Sequence, residues 1–280
     1  MIIKHLDGQF KGTGDLNLYY QCWLPADEPR AILVVVHGLA DHSGRYSNLM
    51  NHLVPRGYAV YSFDQRGHGK SDGVKGYVDR FSSFVDDLDI FFRLVRSRHP
   101  DVKTFLVGHS VGGTVAAAYT ILHQDEFDGL ILSGALLGTP HDVAAGTILA
   151  ARILSRILPK TGLYFIDANG ISQDKSVVKA YLEDPLVYQG KIRARLGVEI
   201  IKAMDTANRR SPDIRLPILV MHGTADPISD PENSKILYQK ASSADKTLKL
   251  YEGYYHEIFN EPGREQVFTD MESWLKNHIS

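Results

Sequence analysis

Short apolar runs alternate along this chain with longer stretches in which apolar residues recur every three or four positions. The short runs are Ala31 to Val36 leading into His37, Tyr58 to Phe63, Leu106-Val107, Leu130 to Leu132, Ile218 to Met221, and Thr247 to Tyr251. Brevity and β-branched or aromatic content predict strands, most of them buried on both faces. Leu16 to Leu24 alternates instead, which predicts an exposed strand. The longer stretches include Phe84 to Arg98, with Phe84, Leu88, Phe91, Phe92 and Val95 in register. Val267 to Ile279 is similar, with Val267, Met271, Trp274, Leu275 and Ile279. Both predict amphipathic helices. Strand and helix in turn predict an α/β fold, a mostly parallel central sheet flanked by helices.

The rhythm breaks once. Between Ser133 and Pro217 lie about 80 residues, far more than an ordinary connection. Within them Val143 to Leu158 (ending at Pro159), Ser172 to Tyr181 and Leu196 to Met204 predict helices. The expected organisation is a core of residues 1–136 and 213–280. A helical cap, 137–212, is inserted between strands 6 and 7. Such an insertion would cover the carboxyl edge of the sheet, where open α/β sheets bind ligands. The run Ala144, Ala145, Ile148, Leu149, Ile153, Leu154, Ile157, Leu158 is apolar nearly all round. One side can face a buried ligand and the other an assembly of substrate or a bilayer surface.

Candidate chemistry centres on Phe105-Leu106-Val107-Gly108-His109-Ser110-Val111-Gly112-Gly113. A buried strand runs into Gly-x-Ser-x-Gly and then into a small-residue helix, the context of a nucleophile elbow. Ser110 is the expected nucleophile. Its hydroxyl needs a base to take its proton. In this topology the acid and then the base follow the serine in chain order. His256 follows the last predicted strand and is the expected base. His109 neighbours Ser110 but points away from the hydroxyl at an elbow, and no rule brings His37, His42 or His68 within reach. Asp226, three residues after Gly223 at the end of the preceding strand, is the expected acid. Asp142 and Asp230 compete, but Asp230 better suits the N-cap of a helix opening at Pro231-Glu232. The oxyanion hole is expected from the Val111 N–H and, in the loop His37-Gly38-Leu39-Ala40, the Leu39 N–H.

Composition narrows the function classes. The chain has 280 residues, 44% hydrophobic and 23% charged, with a net charge of -2. Those values fit a globular protein without a nucleic-acid footprint. The single cysteine, Cys22, excludes an internal disulfide framework and a cysteine-based zinc site. No metal and no cofactor is expected. The first residues lack a signal-peptide core and no apolar run has membrane-spanning length. The expectation is therefore a cytoplasmic protein, touching membranes at most peripherally through the cap. Oligomeric state is not legible.

Five segments carry a family resemblance. His37-Gly38-Leu39-Ala40-Asp41-His42-Ser43-Gly44-Arg45-Tyr46 resembles the HGxxEHSGRY segment of monoacylglycerol lipases. Asp64-Gln65-Arg66-Gly67-His68-Gly69-Lys70-Ser71 resembles their DxxGHGxS segment. Gly108 to Gly113 resembles their GHSMGG elbow, and Tyr181 to Leu186 their YxxDPL element. Asp245 to Gly253 with His256 resembles their DKTLKIYEGxxH ending. The resemblance implies an α/β-hydrolase fold with a helical cap and an apolar acyl tunnel. It implies a carboxylic ester hydrolase that splits a monoacylglycerol into glycerol and a fatty acid. It also implies that Asp41, Arg45 and Tyr181 lie near the glycerol end. Asp41 stands where the family has Glu, Leu39 replaces a small residue, and Val111 replaces Met. Rival readings are a short-chain carboxylesterase or lysophospholipase, a cofactor-free haloperoxidase, and a non-catalytic binding protein of the same fold.

Overall fold

The computed structural model describes residues 4–138 and 145–279. Asp142, Val143 and Ala144, named above, lie outside them. The first strands are β1 (Lys4–Lys11), β2 (Asn17–Leu24) and β3 (Ala31–Val36). A single turn of 3-10 helix, Ser43–Tyr46, leads into α1 (Ser47–Leu53), followed by β4 (Tyr58–Phe63) and α2 (Ser82–Arg98). Then come β5 (Thr104–His109), α3 (Val111–His123) and β6 (Gly129–Ser133). The long interval holds α4 (Ala145–Ile157), β7 (Gly162–Tyr164), α5 (Lys175–Glu183), β8 (Ile192–Arg193) and α6 (Ala194–Arg210). The chain closes with β9 (Ile218–Gly223), α7 (Pro231–Lys240), β10 (Lys246–Tyr251) and α8 (Arg264–Ile279).

Eight strands form one sheet in the order β1-β2-β4-β3-β5-β6-β9-β10. From β4 onward every pairing is parallel, while β2 runs antiparallel to both β1 and β4. Strands β3 to β6 are buried at every position because helices cover both faces. Their side chains alternate between two cores. Ile32, Val34 and Val36 join α2, α3 and α6 on one face. Ala31, Leu33 and Val35 join α1 and α8 on the other.

One strand expectation needed correction, and one strand went unpredicted. Leu16 to Leu24 is not an exposed strand: Leu18 to Cys22 are buried, because β1 and β4 flank β2 on either side. Its polar atoms have tertiary partners, Gln21 Nε2 donating to Ser43 Oγ (2.8 Å) and the Tyr19 hydroxyl to Asp7 (3.0 Å). Strand β1, which the pattern did not predict, is mostly exposed and packs only Phe10 against the core.

All loops that matter leave the carboxyl edge of the sheet. Strand β3 leads to His37, β5 to Ser110, β9 to Asp226 and β10 to His256. Helices α4 to α6 and the small β7–β8 pair lie between β6 and β9. Helix α6 turns Leu196, Ile200, Met204 and Ala207 into the same core as α2 and α3.

Candidate active site

Ser110 sits between β5 and α3 with φ 55° and ψ -125°. A non-glycine residue adopts that conformation only when its surroundings impose it. Here its N–H donates to Ser133 O (3.1 Å), and its carbonyl accepts from Gly113 N and Leu136 N (2.9 Å each). The flanking glycines are a matter of space. A Cβ on Gly108 would lie 2.6 Å from Gly112 O, and one on Gly112 only 2.2 Å from Val36 O. Among the described residues the Ser110 hydroxyl makes no hydrogen bond. It shares a cavity of about 30 Å³ with His256.

Asp226 and His256 come together as the chain order requires. His256 Nδ1 donates to Asp226 Oδ2 at 2.7 Å. Burial works to lower the imidazole pKa, and the carboxylate more than offsets it, leaving the group above its ordinary 6.5. The same partnership acts on the acid. Burial works to raise the Asp226 pKa, but His256 and His222 hold it well below the usual carboxylate range. Its other oxygen, Oδ1, accepts from Ile228 N (2.8 Å) and Ser229 N (3.0 Å). Asp230 instead caps α7, accepting from Glu232 N at 2.9 Å.

His222 was not anticipated. It is fully buried at the end of β9, four residues before Asp226. Its Nε2 lies 3.0 Å from Asp226 Oδ2 and 2.9 Å from Ser229 O. Both neighbours are acceptors, so Nε2 carries the proton. Nδ1 meets Ser234 Oγ at 2.7 Å. Asp226 Oδ2 therefore takes one N–H from His256 and one from His222. A histidine ending the strand that delivers the acid was the available signal.

The loop after β3 is braced from within. His37 Nδ1 donates to Gly38 O (2.7 Å), and His37 Nε2 accepts from Gln65 N (2.9 Å). Gln65 Nε2 also holds His37 O at 2.7 Å. Ala40 has φ 64°, and its carbonyl takes Tyr188 N (2.9 Å). Gly38 lies so close to the nucleophile that a Cβ there would sit 3.1 Å from Ser110 Cβ. Neither the Leu39 nor the Val111 N–H donates to any described residue, which leaves both open to an oxyanion. His109 does face elsewhere: its Nδ1 donates to Ser133 O (2.9 Å), and its ring lies 4.8 Å from that of His256 at a tilt of 51°. Burial pushes its pKa down to about 3, so it stays neutral.

The cavity wall is mixed: Asp41, Tyr181 and Glu257 line it with Ser110 and His256, beside Ile166, Ile171 and Ile228. Arg45 instead lines a small neighbouring cavity with Asp41 and Glu257. Arg45 Nη2 donates to Glu257 Oε1 (2.7 Å) and Oε2 (2.6 Å). Its Nε is 3.0 Å from Asp41 Oδ1, though misaligned for a hydrogen bond. The guanidinium stacks over the Tyr181 ring at 4.6 Å. Glu257, next to the base, also went unanticipated, with adjacency to His256 as its only sequence signal.

Leu39 also borders a larger cavity of about 170 Å³. Its wall is almost wholly apolar and includes Leu136, Ile148, Ala151, Ile200, Ile201 and Met204. No other site residue borders it. A cluster with metal-ligand spacing, Asp89, His123 and Glu126, lies at the far end of α3 from Ser110. Its groups already bond to one another, to Arg93 and to Tyr119.

Known proteins resemble this chain in sequence and fold. Residues 27–263 match the serine aminopeptidase S33 family. The monoacylglycerol lipase of Mycolicibacterium smegmatis is 33% identical over 270 residues, covering 96% of each chain. A solved monoacylglycerol lipase from Paleococcus ferrophilus is 32% identical with a TM-score of 0.83, covering 99% of this chain and 100% of that one. The monoglyceride lipase of Saccharomyces cerevisiae, solved as a soluble variant with a substrate analogue, is 28% identical with a TM-score of 0.87, covering 100% of this chain and 97% of that one. With a nucleophile elbow over a mostly parallel sheet and a match across most of its length, the chain belongs to the serine aminopeptidase S33 family of α/β-hydrolases, and its full-length relatives include monoacylglycerol lipases.

Proposed function

We infer that this protein cleaves the ester bond of monoacylglycerols, releasing glycerol and a free fatty acid. The observation that carries this reading is the junction at Leu39. There a cavity holding Ser110, His256, Asp41 and Tyr181 shares Leu39 with a much larger and almost wholly apolar one. A glycerol head suits the first and an acyl chain the second. Each methylene buried there contributes about 0.8 kcal/mol.

In this mechanism Ser110 Oγ attacks the ester carbonyl as His256 Nε2 takes its proton. Asp226 holds Nδ1–H and stabilises the imidazolium. The oxyanion rests on the Leu39 and Val111 N–H groups, each such donor worth about 3 kcal/mol in the transition state. His256 then gives its proton to the departing glycerol oxygen. Water, activated by the same imidazole, releases the fatty acid and restores Ser110.

Residues 137–212 act in this reading as a cap that walls the acyl cavity. Helix α4 contributes Ile148 and Ala151 to that cavity and exposes Leu149, Ile153 and Ile157 on another side. Such an outer stripe suits transient contact with a lipid surface. No helix among the described residues is long and apolar enough to cross a membrane.

The test is a fluorophosphonate label on Ser110 together with a substrate series: monoacylglycerols of rising chain length, diacylglycerols, lysophospholipids and a halogenation assay. The expected result is labelling lost in Ser110→Ala and highest kcat/KM on monoacylglycerols. A folded protein that neither labels nor hydrolyses esters would make it a binding module. Preference for acetyl or butyryl esters would make it a short-chain esterase.

A further inference from the structure

The cavity at Ser110 carries more negative charge than cleavage of a neutral ester requires. Asp41 and Glu257 are both buried and both face the cavity of Ser110 and His256. Arg45, which pairs with both, does not line that cavity. The carboxylates lie on the wall and the cation backs them. The other groups around the cluster do not restore the balance. The Tyr46 hydroxyl donates to Asp41 Oδ2 (3.2 Å), and Asn260 Nδ2 donates to Glu257 Oε2 (2.7 Å). His42 is directed to Asp184 (3.0 Å). His37 and His109 are both pushed down by burial. His256 must be uncharged to accept the serine proton. One guanidinium thus serves two buried acids: it holds Asp41 below its ordinary pKa against burial, while burial and Asp41 raise Glu257. The two Arg45–Glu257 contacts of 2.6 and 2.7 Å are those of an ion pair.

Hydroxyl groups and phosphates meet this wall differently. Asp41 Oδ2 and Glu257 Oε1 each accept a single hydrogen bond from the described residues. Each keeps acceptor capacity for a substrate O–H. A phosphate monoester, with a second pKa of about 6, is mostly without a donor at neutral pH and adds like charge at close range in a medium of low dielectric. It would find no cation on that wall, because Arg45 does not line the cavity.

We propose that Glu257 is a specificity-determining residue: together with Asp41 it admits acyl esters of an uncharged polyol and turns away the same esters when the head carries a phosphate. This rests on the reading that the cavity at Ser110 receives the glycerol end.

The experiment compares kcat/KM for a 1-monoacylglycerol and the matching 1-acylglycerol 3-phosphate, presented in the same neutral detergent micelles. Wild-type protein, Glu257→Gln and Glu257→Asp are measured. Wild type is expected to favour the neutral ester by at least a hundredfold. Glu257→Gln should narrow that ratio at least tenfold, chiefly through a lower KM for the phosphate ester, and Glu257→Asp should keep it wide. A merely structural role would lower both substrates alike and leave the ratio unchanged. An unchanged ratio in Glu257→Gln, or a wild-type ratio near one, would overturn the proposal. Absence of wild-type activity on the monoacylglycerol would instead overturn the substrate reading. Should Glu257→Gln not fold, protection of wild-type Ser110 from fluorophosphonate decides. Glycerol is expected to protect at a concentration at least tenfold lower than glycerol 3-phosphate, and equal protection would overturn the proposal.

Discussion

Asp226→Asn keeps the shape of the acid and removes its charge, so it separates two effects that the native pair combines. Asp226 Oδ2 lies 2.7 Å from His256 Nδ1, with both side chains nearly inaccessible. With charge centres about 4 Å apart and an effective dielectric near 20, the attraction is worth about 4 kcal/mol. That attraction outweighs burial and holds the imidazole above its ordinary pKa of 6.5. With Asn in place burial, the largest remaining influence, is opposed only by the smaller pull of Glu257 and Asp41, and the pKa should fall below 6.5. The amide can also donate to Nδ1, which puts the remaining ring proton on Nε2, the wrong nitrogen for a base. A loss of about 10⁴ in rate is the usual result. The assay is kcat/KM against pH on a soluble ester. Wild type should show its acid limb above 6.5. The variant should show it below 6.5, on a plateau about 10⁴ lower. An unmoved or raised limb, or a loss under about tenfold, would refute the electrostatic role given to Asp226.

Three further outcomes follow from the same structure. Gly112→Ala should cost about 3 kcal/mol or more in urea melts, because its Cβ would lie 2.2 Å from Val36 O and 2.4 Å from His37 O, backbone atoms that cannot step aside. His222→Leu removes the rear donor to Asp226 and strands Ser229 O and Ser234 Oγ in the core. It should cost about 3 kcal/mol of stability and lower kcat more than it raises KM, with His222→Gln recovering part of both. Stability should also depend on pH with opposite signs for the two partners. Asp226 is depressed in the fold, so its contribution is present above the unfolded value of 3.8 and is lost as pH falls toward the folded one. His256 is raised, so its contribution is full below 6.5 and lost as pH rises through the folded pKa. Urea midpoints from pH 3 to 9 check both, and Asp226→Asn should flatten both limbs.

The clearest gaps between pattern and fold are polar. Strand β2 reads as exposed because Tyr19, Tyr20 and Gln21 look like a wet face. They are buried because Asp7, Arg98 and Ser43 supply their hydrogen bonds from elsewhere in the chain. Strand β1 is set by its pairing to β2, and Leu6 and Phe10 alone, four residues apart, are too sparse a pattern to reveal it. His222 and Glu257 escaped notice for the same reason. A lone histidine or glutamate has no periodicity, and its role depends on what distant segments bring against it.

Local order along the chain was enough for the outline of this protein. Buried runs without polar breaks mark strands covered on both sides, and Gly-x-Ser-x-Gly between a strand and a helix marks Ser110. Asp226, His256 and the long helical interval follow in the order that the topology demands. These are short-range consequences of side-chain size, backbone sterics and apolar period. Tertiary structure alone decided the electrostatics. It placed Glu257 on Arg45 across 212 residues of sequence, put His222 behind Asp226, and set two carboxylates on the cavity wall with their cation behind them. Charge interactions act through space and strengthen as water is excluded, so they depend on which groups the fold buries together rather than on the order in which the chain presents them.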